Sequence, residues 1–206
     1  MPMGWVYIPP HERGIASVTR SSDKLATRNR AFDLIRAKSF KRGTFVLASG
    51  KESNFYLDMK PSMFDPEGAN LLSELVLDRI ESLNADLIGG LEMGAVPLVT
   101  AVSMLSFLKG KRQLPGFFVR KEVKGHGTKK KIDAVSDLQG KKVVILEDVT
   151  TTGGSALQAV DAVRGAGGDV LLVLSIVDRE DGAEKLYAEK NIPFSSLFRV
   201  AEFLNA

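Results

Sequence analysis

Glu147 and Asp148 stand side by side, and after Val149 come Thr150, Thr151, Thr152, Gly153, Gly154 and Ser155. Glycines let backbone N–H groups approach an anion with no Cβ in the way. Threonine and serine hydroxyls add donors, and a helix starting there adds positive partial charge. Such a loop favours a phosphate. Two carboxylates beside it would repel that phosphate, so they need a different job. Adjacent residues leaving a strand can accept hydrogen bonds from the two hydroxyls of a ribose. A phosphate cradle joined to a pair of diol acceptors describes a ribose 5-phosphate site. The bland alternative is an ordinary strand-to-helix turn with threonines and glycines there by chance.

A second stretch that could do chemistry lies upstream. Between Lys109 and Lys131 the chain holds nine Lys/Arg and one acid, Glu122. That is basic enough to hold a polyphosphate or nucleic acid. From Arg120 to about Ser136 the sequence is polar without an apolar period. It reads as a long loop, a kind that is usually functional or mobile.

These residues need elements to position them. Val143–Leu146 is a short apolar run rich in β-branched residues, which reads as a buried parallel strand. Leu157, Val160 and Val163 share one face of the helix after the loop. Upstream, Ser22 or Asp23 can cap a helix running to about Ala37. Thr44–Leu47 and Phe55–Met59 read as two short strands joined through Ser49-Gly50-Lys51. Asp65 and Pro66 open a helix reaching Ile80. Leu87-Ile88 predicts a strand, Gly89–Gly94 a glycine-rich turn, Pro97 the start of a helix to about Leu108, and Gly116–Val119 another strand. Val170–Val177 is a long buried strand ending in Asp178-Arg179; a helix over Ala183–Lys190 and a short element near Leu197 follow. About five core strands alternating with helices imply an α/β fold with a parallel sheet covered on both faces. Ligands in such sheets bind outside the carboxyl ends of the strands. Gly89–Gly94, Arg120–Lys131, Glu147–Ser155 and Asp178-Arg179 would all lie there. The hairpin ahead of the core predicts a small hood over the cleft.

At 206 residues, 44% hydrophobic and 26% charged, the chain reads as one soluble globular domain. The absence of cysteine excludes disulfides, thiolate chemistry and a Cys–zinc site, and two histidines exclude a His-rich metal site. No run is long and apolar enough for a signal peptide or a membrane span, so the expected location is the cytoplasm. Residues 1–22, with Trp5, Tyr7 and Ile8 ahead of Pro9-Pro10, show no clean period and read as an N-terminal arm. Residues 23–206 then form a single domain, with the hood over about 23–64 and the core over about 65–206.

The run from Val143 to Ser155 resembles the phosphoribosyl-diphosphate signature of the type I phosphoribosyltransferases. In that signature an apolar strand ends in two acids, followed by a hydrophobic residue and Thr- and Gly-rich positions. Arg120-Lys121-Glu122-Val123-Lys124-Gly125-His126-Gly127 resembles the mobile-loop motif of the orotate phosphoribosyltransferases. Ser49-Gly50, Ser53, Tyr56 and Asp58 resemble the hood motif of that family, and Asp178-Arg179 resembles its Asp-Arg pair after the last long strand. The resemblance covers about Phe45 to Arg179. Ala48 and Met93 stand where some family members carry lysines, and Lys51 lies just beyond Ala48.

The resemblance implies a type I phosphoribosyltransferase fold with an N-terminal hood. It implies transfer of the phosphoribosyl group of 5-phosphoribosyl 1-diphosphate to orotate, giving orotidine 5′-phosphate and diphosphate in pyrimidine biosynthesis. Lys124, His126 and Asp148 are then catalytic. Arg120, Lys121, Lys124 and His126 hold the diphosphate, Glu147 and Asp148 the ribose, and Val149 to Ser155 complete the phosphoribosyl-diphosphate site. Phe55, Tyr56, Thr151 and Arg179 bind orotate. Magnesium is the implied cofactor, held by diphosphate and ribose oxygens and water more than by side chains. The resemblance also implies a homodimer with shared active sites and no nucleic-acid or membrane partner.

Taken singly, these residues keep plainer readings. Arg120, Lys121 and Lys124 could form a solvated basic loop, and His126 could simply be exposed. Arg179 could make a strand-end ion pair with Asp178 or Glu180. Phe55 and Tyr56 could be hood core, and Gly89–Gly94 a tight turn in place of a backbone site for diphosphate. A rival of another class is a phosphoribosyl-diphosphate-binding regulator of nucleotide genes that binds RNA or DNA. It calls for a second basic face, and the sequence shows none clearly. A purine or uracil phosphoribosyltransferase is a third reading, against which Arg120-Lys121-Glu122 with Asp178-Arg179 argues.

Overall fold

In the computed structural model, which describes residues 21–46, 50, 52–110, 112–122 and 131–206, the chain opens on helix α1 (Ser21–Lys38) and a hairpin of β1 (Phe40–Val46) and β2 (Glu52–Leu57). The arm over residues 1–22 falls almost wholly outside the described residues. A short helix α2 (Lys60–Met63) leads to α3 (Pro66–Ile80). Then come β3 (Leu87–Leu91), α4 (Ala95–Leu108), β4 (Gly116–Val119), β5 (Ile132–Ala134) and β6 (Lys142–Thr150). The chain ends with α5 (Gly154–Gly165), β7 (Asp169–Asp178), α6 (Ala183–Glu189), β8 (Phe194–Arg199) and α7 (Val200–Leu204).

The main sheet has six strands in the order β5-β4-β3-β6-β7-β8. All neighbours pair in parallel except β5, which runs antiparallel to β4. Strand order reverses between β3 and β6, and a crevice forms outside the carboxyl ends of the strands at such a point. The alternating side chains of β6 divide between two cores. Val143 and Ile145 join Val160 and Val163 of α5 and Tyr187 of α6. Val144 and Leu146 join Phe40, Phe55 and Met59 of the hood and Phe198 and Phe203 of the C-terminal segment. A strand buried on both faces needs apolar residues at successive positions, which is why this run reads as continuous in the sequence.

Asp65 caps α3 as the sequence predicts, its Oδ1 accepting from Gly68 N at 2.9 Å. Several boundaries differ. The acidic pair does not leave the strand: β6 continues through Thr150, because the ten-residue β7 goes on pairing with it, Glu147 opposite Ser175 and Thr150 opposite Asp178. The expected turn Gly89–Gly94 is half strand, with Gly89 and Gly90 inside β3. A Cβ on Gly89 would collide with the Phe117 ring, and one on Gly90 with the Leu146 carbonyl oxygen. Those two glycines therefore serve close strand packing, and only Glu92–Gly94 turns. α4 begins at Ala95, ahead of Pro97, since proline is tolerated within a first turn. The polar stretch after Arg120 contains β5, which three residues of mixed polarity could not announce. The short element near Leu197 is strand β8 with helix α7 behind it. There Phe203 stacks on Phe32 of α1 at 4.5 Å, and Glu202 accepts from Arg28 at 2.7 Å.

Candidate active site

Successive side chains of a strand point to opposite faces. Glu147 follows Val143 and Ile145 toward α5 and α6, where it lines a cavity of about 290 Å³ with Val149–Ala156, Gln158 and Tyr187. Asp148 follows Val144 and Leu146 to the other face. A Cβ on Gly94 would lie 2.7 Å from its Oδ1, so the glycine keeps the Glu92–Gly94 turn close to this acid. The two acids straddle the end of β6.

Glu147 is 9% exposed, and its Oε2 has no hydrogen-bond partner among the described residues. Burial, and then the charge of Asp148, push its carboxyl up to about 8, with Lys121 pulling the other way. Burial also raises Asp148, against the opposing effects of the Val149 N–H, which donates to Oδ1 at 2.9 Å, and of the Lys60 charge. Thr150 is buried with its Oγ1 unpartnered among the described residues. Buried polar atoms left without partners are costly, and here two adjoin one cavity. They mark a place built for a polar ligand.

The loop supplies donors. Gly153 has φ +87°, the left-handed region that favours glycine, and precedes α5 with no side chain capping the helix. The first-turn N–H groups of α5 have no intrahelical acceptor and are open to an anion. A Cβ on Gly154 would meet nothing within 4 Å, so the space over it is free.

Arg179 sits at the other end of this edge. Its backbone N–H donates to the Thr150 carbonyl at 2.9 Å. Its guanidinium lies over the Phe55 ring at 4.4 Å, a contact worth about 0.5–2 kcal/mol. The plainer reading of Arg179, a strand-end ion pair with Asp178 or Glu180, is met in a different form: it pairs with Asp181, at 3.3 Å. Asp178 is taken by the Glu180 N–H at 2.9 Å, and Glu180 pairs with Arg199 at 3.9 Å. Phe55 is thus hood core, 5.8 Å from Phe40, and also the floor under Arg179. Tyr56 is exposed and packs on Phe45 at 5.6 Å.

The basic stretch is only partly in view. Arg120 pairs with Asp133 of β5 and stacks over Phe118 at 5.1 Å, so its charge is already engaged. Lys121 is exposed, and its backbone N–H donates to Glu92 Oε1 at 3.0 Å. Lys124 and His126 lie outside the described residues, as do Ala48 and Lys51. Met93 is exposed beside the turn and brings no charge there. Sequence reasoning missed Lys60, which pairs with Asp58 at 2.7 Å and whose charge acts on Asp148. Its place two residues after Asp58 was the only signal. It also missed Tyr187, which in a short helix reads as ordinary core.

The family model of the phosphoribosyl transferase domain matches residues 63–200, the class that a parallel sheet bearing this strand–loop–helix site defines. An orotate phosphoribosyltransferase of Rhodopseudomonas palustris is 53% identical over 186 residues, covering 89% of this chain and 99% of that protein. The crystal structure of Mycobacterium tuberculosis H37Rv orotate phosphoribosyltransferase in complex with Fe(III) dicitrate matches with a TM-score of 0.75 at 31% identity, over 86% of this chain and 98% of that one. The structure of that enzyme in complex with 5-phospho-α-D-ribosyl 1-diphosphate gives 0.71 at 30% identity, again over 86% and 98%. The chain belongs to the orotate phosphoribosyltransferase family.

Proposed function

We propose that this protein transfers the phosphoribosyl group of 5-phosphoribosyl 1-diphosphate to orotate, giving orotidine 5′-phosphate and diphosphate. The observation that carries the reading is the cavity beside β6 and α5, where an uncapped helix start meets the unpartnered Glu147 and Thr150. Thr151 to Ser155 take the 5-phosphate, and the ribose lies across the end of β6 with one acid on each side. Arg179, seated over the Phe55 ring, offers its fork to the orotate carboxylate, and Tyr56 and Thr151 complete the orotate site. Lys121, Lys124 and His126 meet the diphosphate, and Arg120 does so only by giving up Asp133.

Diphosphate leaves the anomeric carbon through an oxocarbenium-like state, as in glycosyl transfer generally. Charge grows on the leaving group, so cations there act mainly in the transition state. The orotate ring nitrogen attacks, and no side chain need serve as nucleophile. We infer magnesium as the cofactor. Among the described residues no cluster of three or more acids, histidines or cysteines could cage a metal, and Glu147 and Asp148 occupy opposite faces. That donor set suits a hydrated cation carried mostly on substrate oxygens, where it would offset leaving-group charge. No helix among the described residues is long and apolar enough to cross a membrane, and we place the reaction in the cytoplasm. The regulator reading is set aside, because the protein's relatives over nearly its whole length are named as enzymes.

The direct test is loss of orotate absorbance on adding 5-phosphoribosyl 1-diphosphate and magnesium, with hypoxanthine and uracil as control bases. Turnover of a control base without turnover of orotate would overturn the assignment. Arg179→Lys is expected to raise the orotate KM roughly tenfold, because a point charge does not replace a planar fork. A wild-type KM would leave Arg179 as a strut between Phe55 and Asp181.

The homodimer has its own candidate surface. On α4, Phe107 is 64% exposed with Met104 and Leu108 similarly bare, and Val135 stands exposed beyond β5. An apolar patch of this kind fits burial against a second copy. Phe107→Glu is expected to yield monomers in light scattering. A dimer of undiminished stability would place the interface elsewhere.

A further inference from the structure

The Gly153 carbonyl accepts two hydrogen bonds. One comes from Leu157 N at 3.0 Å and closes the first turn of α5; the other comes from the Tyr187 hydroxyl, also at 3.0 Å. Tyr187 belongs to α6 and is fully buried. Its ring fills the place a side chain at position 153 would take: a Cβ there would lie 2.9 Å from the ring Cζ. In a trans peptide the carbonyl and the next N–H point in opposite directions. Fixing the Gly153 oxygen toward Tyr187 therefore fixes the Gly154 N–H the other way. Gly153, Gly154, Ser155 and Tyr187 all border the same cavity.

We propose that Tyr187 is a positioning residue of the phosphate-binding loop: its hydroxyl sets the Gly153–Gly154 peptide plane so that the N–H groups at the start of α5 are aimed before the 5-phosphate arrives. The inference rests on the reading of this cavity as the 5-phosphate site. It gives a reason for a phenol, as opposed to an aliphatic side chain, at a fully buried helix position. Burial, with the negative charges of Glu147 and Asp178, holds the phenol above its ordinary range, so it stays a donor at any working pH. A glycine in a left-handed conformation has wide freedom, and the aromatic ring together with the hydroxyl removes it without adding a side chain to the loop. A preformed set of donors binds more tightly than one that must be ordered on binding.

Tyr187→Phe keeps the ring and removes only the hydroxyl. The Gly153 oxygen still accepts from Leu157, so no buried acceptor is orphaned and the melting temperature should move little. The dissociation constant for 5-phosphoribosyl 1-diphosphate with magnesium, read by calorimetry, should rise about five- to tenfold, as should that for ribose 5-phosphate. The orotate KM and kcat at saturation should stay within about twofold of wild type, since Tyr187 borders the phosphate cavity, which neither Arg179 nor Phe55 lines. Incorporation of 4-aminophenylalanine at position 187, which keeps the ring and a donor, should restore most of the affinity. It also serves as the test variant should the phenylalanine protein fold poorly. Wild-type affinity in Tyr187→Phe, or a loss that the amino analogue does not restore, overturns the proposal. Failure of the underlying reading looks different: wild-type protein that does not bind ribose 5-phosphate, or Thr151→Ala that binds it unchanged.

Discussion

Between about pH 5 and pH 8, the Glu147→Gln protein is expected to gain on the wild type by roughly 3–5 kcal/mol of folding stability. The cause is the burial of Glu147, which lifts its carboxyl from an ordinary 4.5 to about 8. Below the ordinary value the group is protonated in both folded and unfolded chains, and the substitution changes little. As pH rises, the unfolded chain releases this proton while the folded chain retains it, so the wild type loses stability steadily. Above the folded value both have ionised and the loss is complete. Glutamine does not titrate, so its advantage should open through that window and then level off. Urea midpoints measured across the range test this. A difference that does not vary with pH would mean that Glu147 ionises normally in the folded protein. Above about pH 8, where the folded wild type carries an ionised Glu147, the same variant should bind 5-phosphoribosyl 1-diphosphate less tightly, because a charged acceptor for a ribose hydroxyl is gone.

Lys124→Ala is expected to lower kcat by roughly ten- to a thousandfold, while binding of 5-phosphoribosyl 1-diphosphate changes much less. The expectation rests on the basic Arg120–Lys131 run and on its resemblance to a leaving-group motif. A lysine that meets charge only as diphosphate departs affects the rate more than the ground state. If the sites are shared across a dimer, inactive Lys124→Ala chains mixed with inactive Asp148→Asn chains should regain activity, because one site of each mixed dimer would be whole. Mixed dimers that form and stay inactive would sink the shared-site proposal. A normal kcat in Lys124→Ala would sink the leaving-group role.

The parts of the site that lie close together in sequence were the legible ones. Val143–Leu146 announces a buried strand by residue type alone, and Thr150–Ser155 carries its donors within one loop. Asp65 and Pro66 mark a helix start with their own chemistry. What stayed hidden depends on partners far along the chain. The length of β6, and hence the opposite facing of Glu147 and Asp148, is set by pairing with β7. The seat of Arg179 on Phe55 joins positions that no period connects. α7 forms where Phe203 can stack on Phe32. β5 exists because β4 offers it an edge, with Val119 opposite Ile132 and Phe117 opposite Ala134. Tyr187 looks like any buried aromatic until the Gly153 carbonyl is placed beside its hydroxyl.

That small edge strand also bears on how the enzyme could be rebuilt. The Arg120 N–H donates to the Lys131 carbonyl at 2.8 Å, and the Arg120–Asp133 ion pair lies just inside that bond. The two ends of the segment between them are therefore joined at the root whatever the segment contains. Once the ends are fixed, added residues raise the cost of closure only slowly, by about 0.6 kcal/mol per doubling of length. Segments of other lengths from relatives could thus be grafted between Arg120 and Lys131 with the sheet intact. Chimaeras of this kind would let the proposed leaving-group segment be varied while the proposed ribose-phosphate site stays constant.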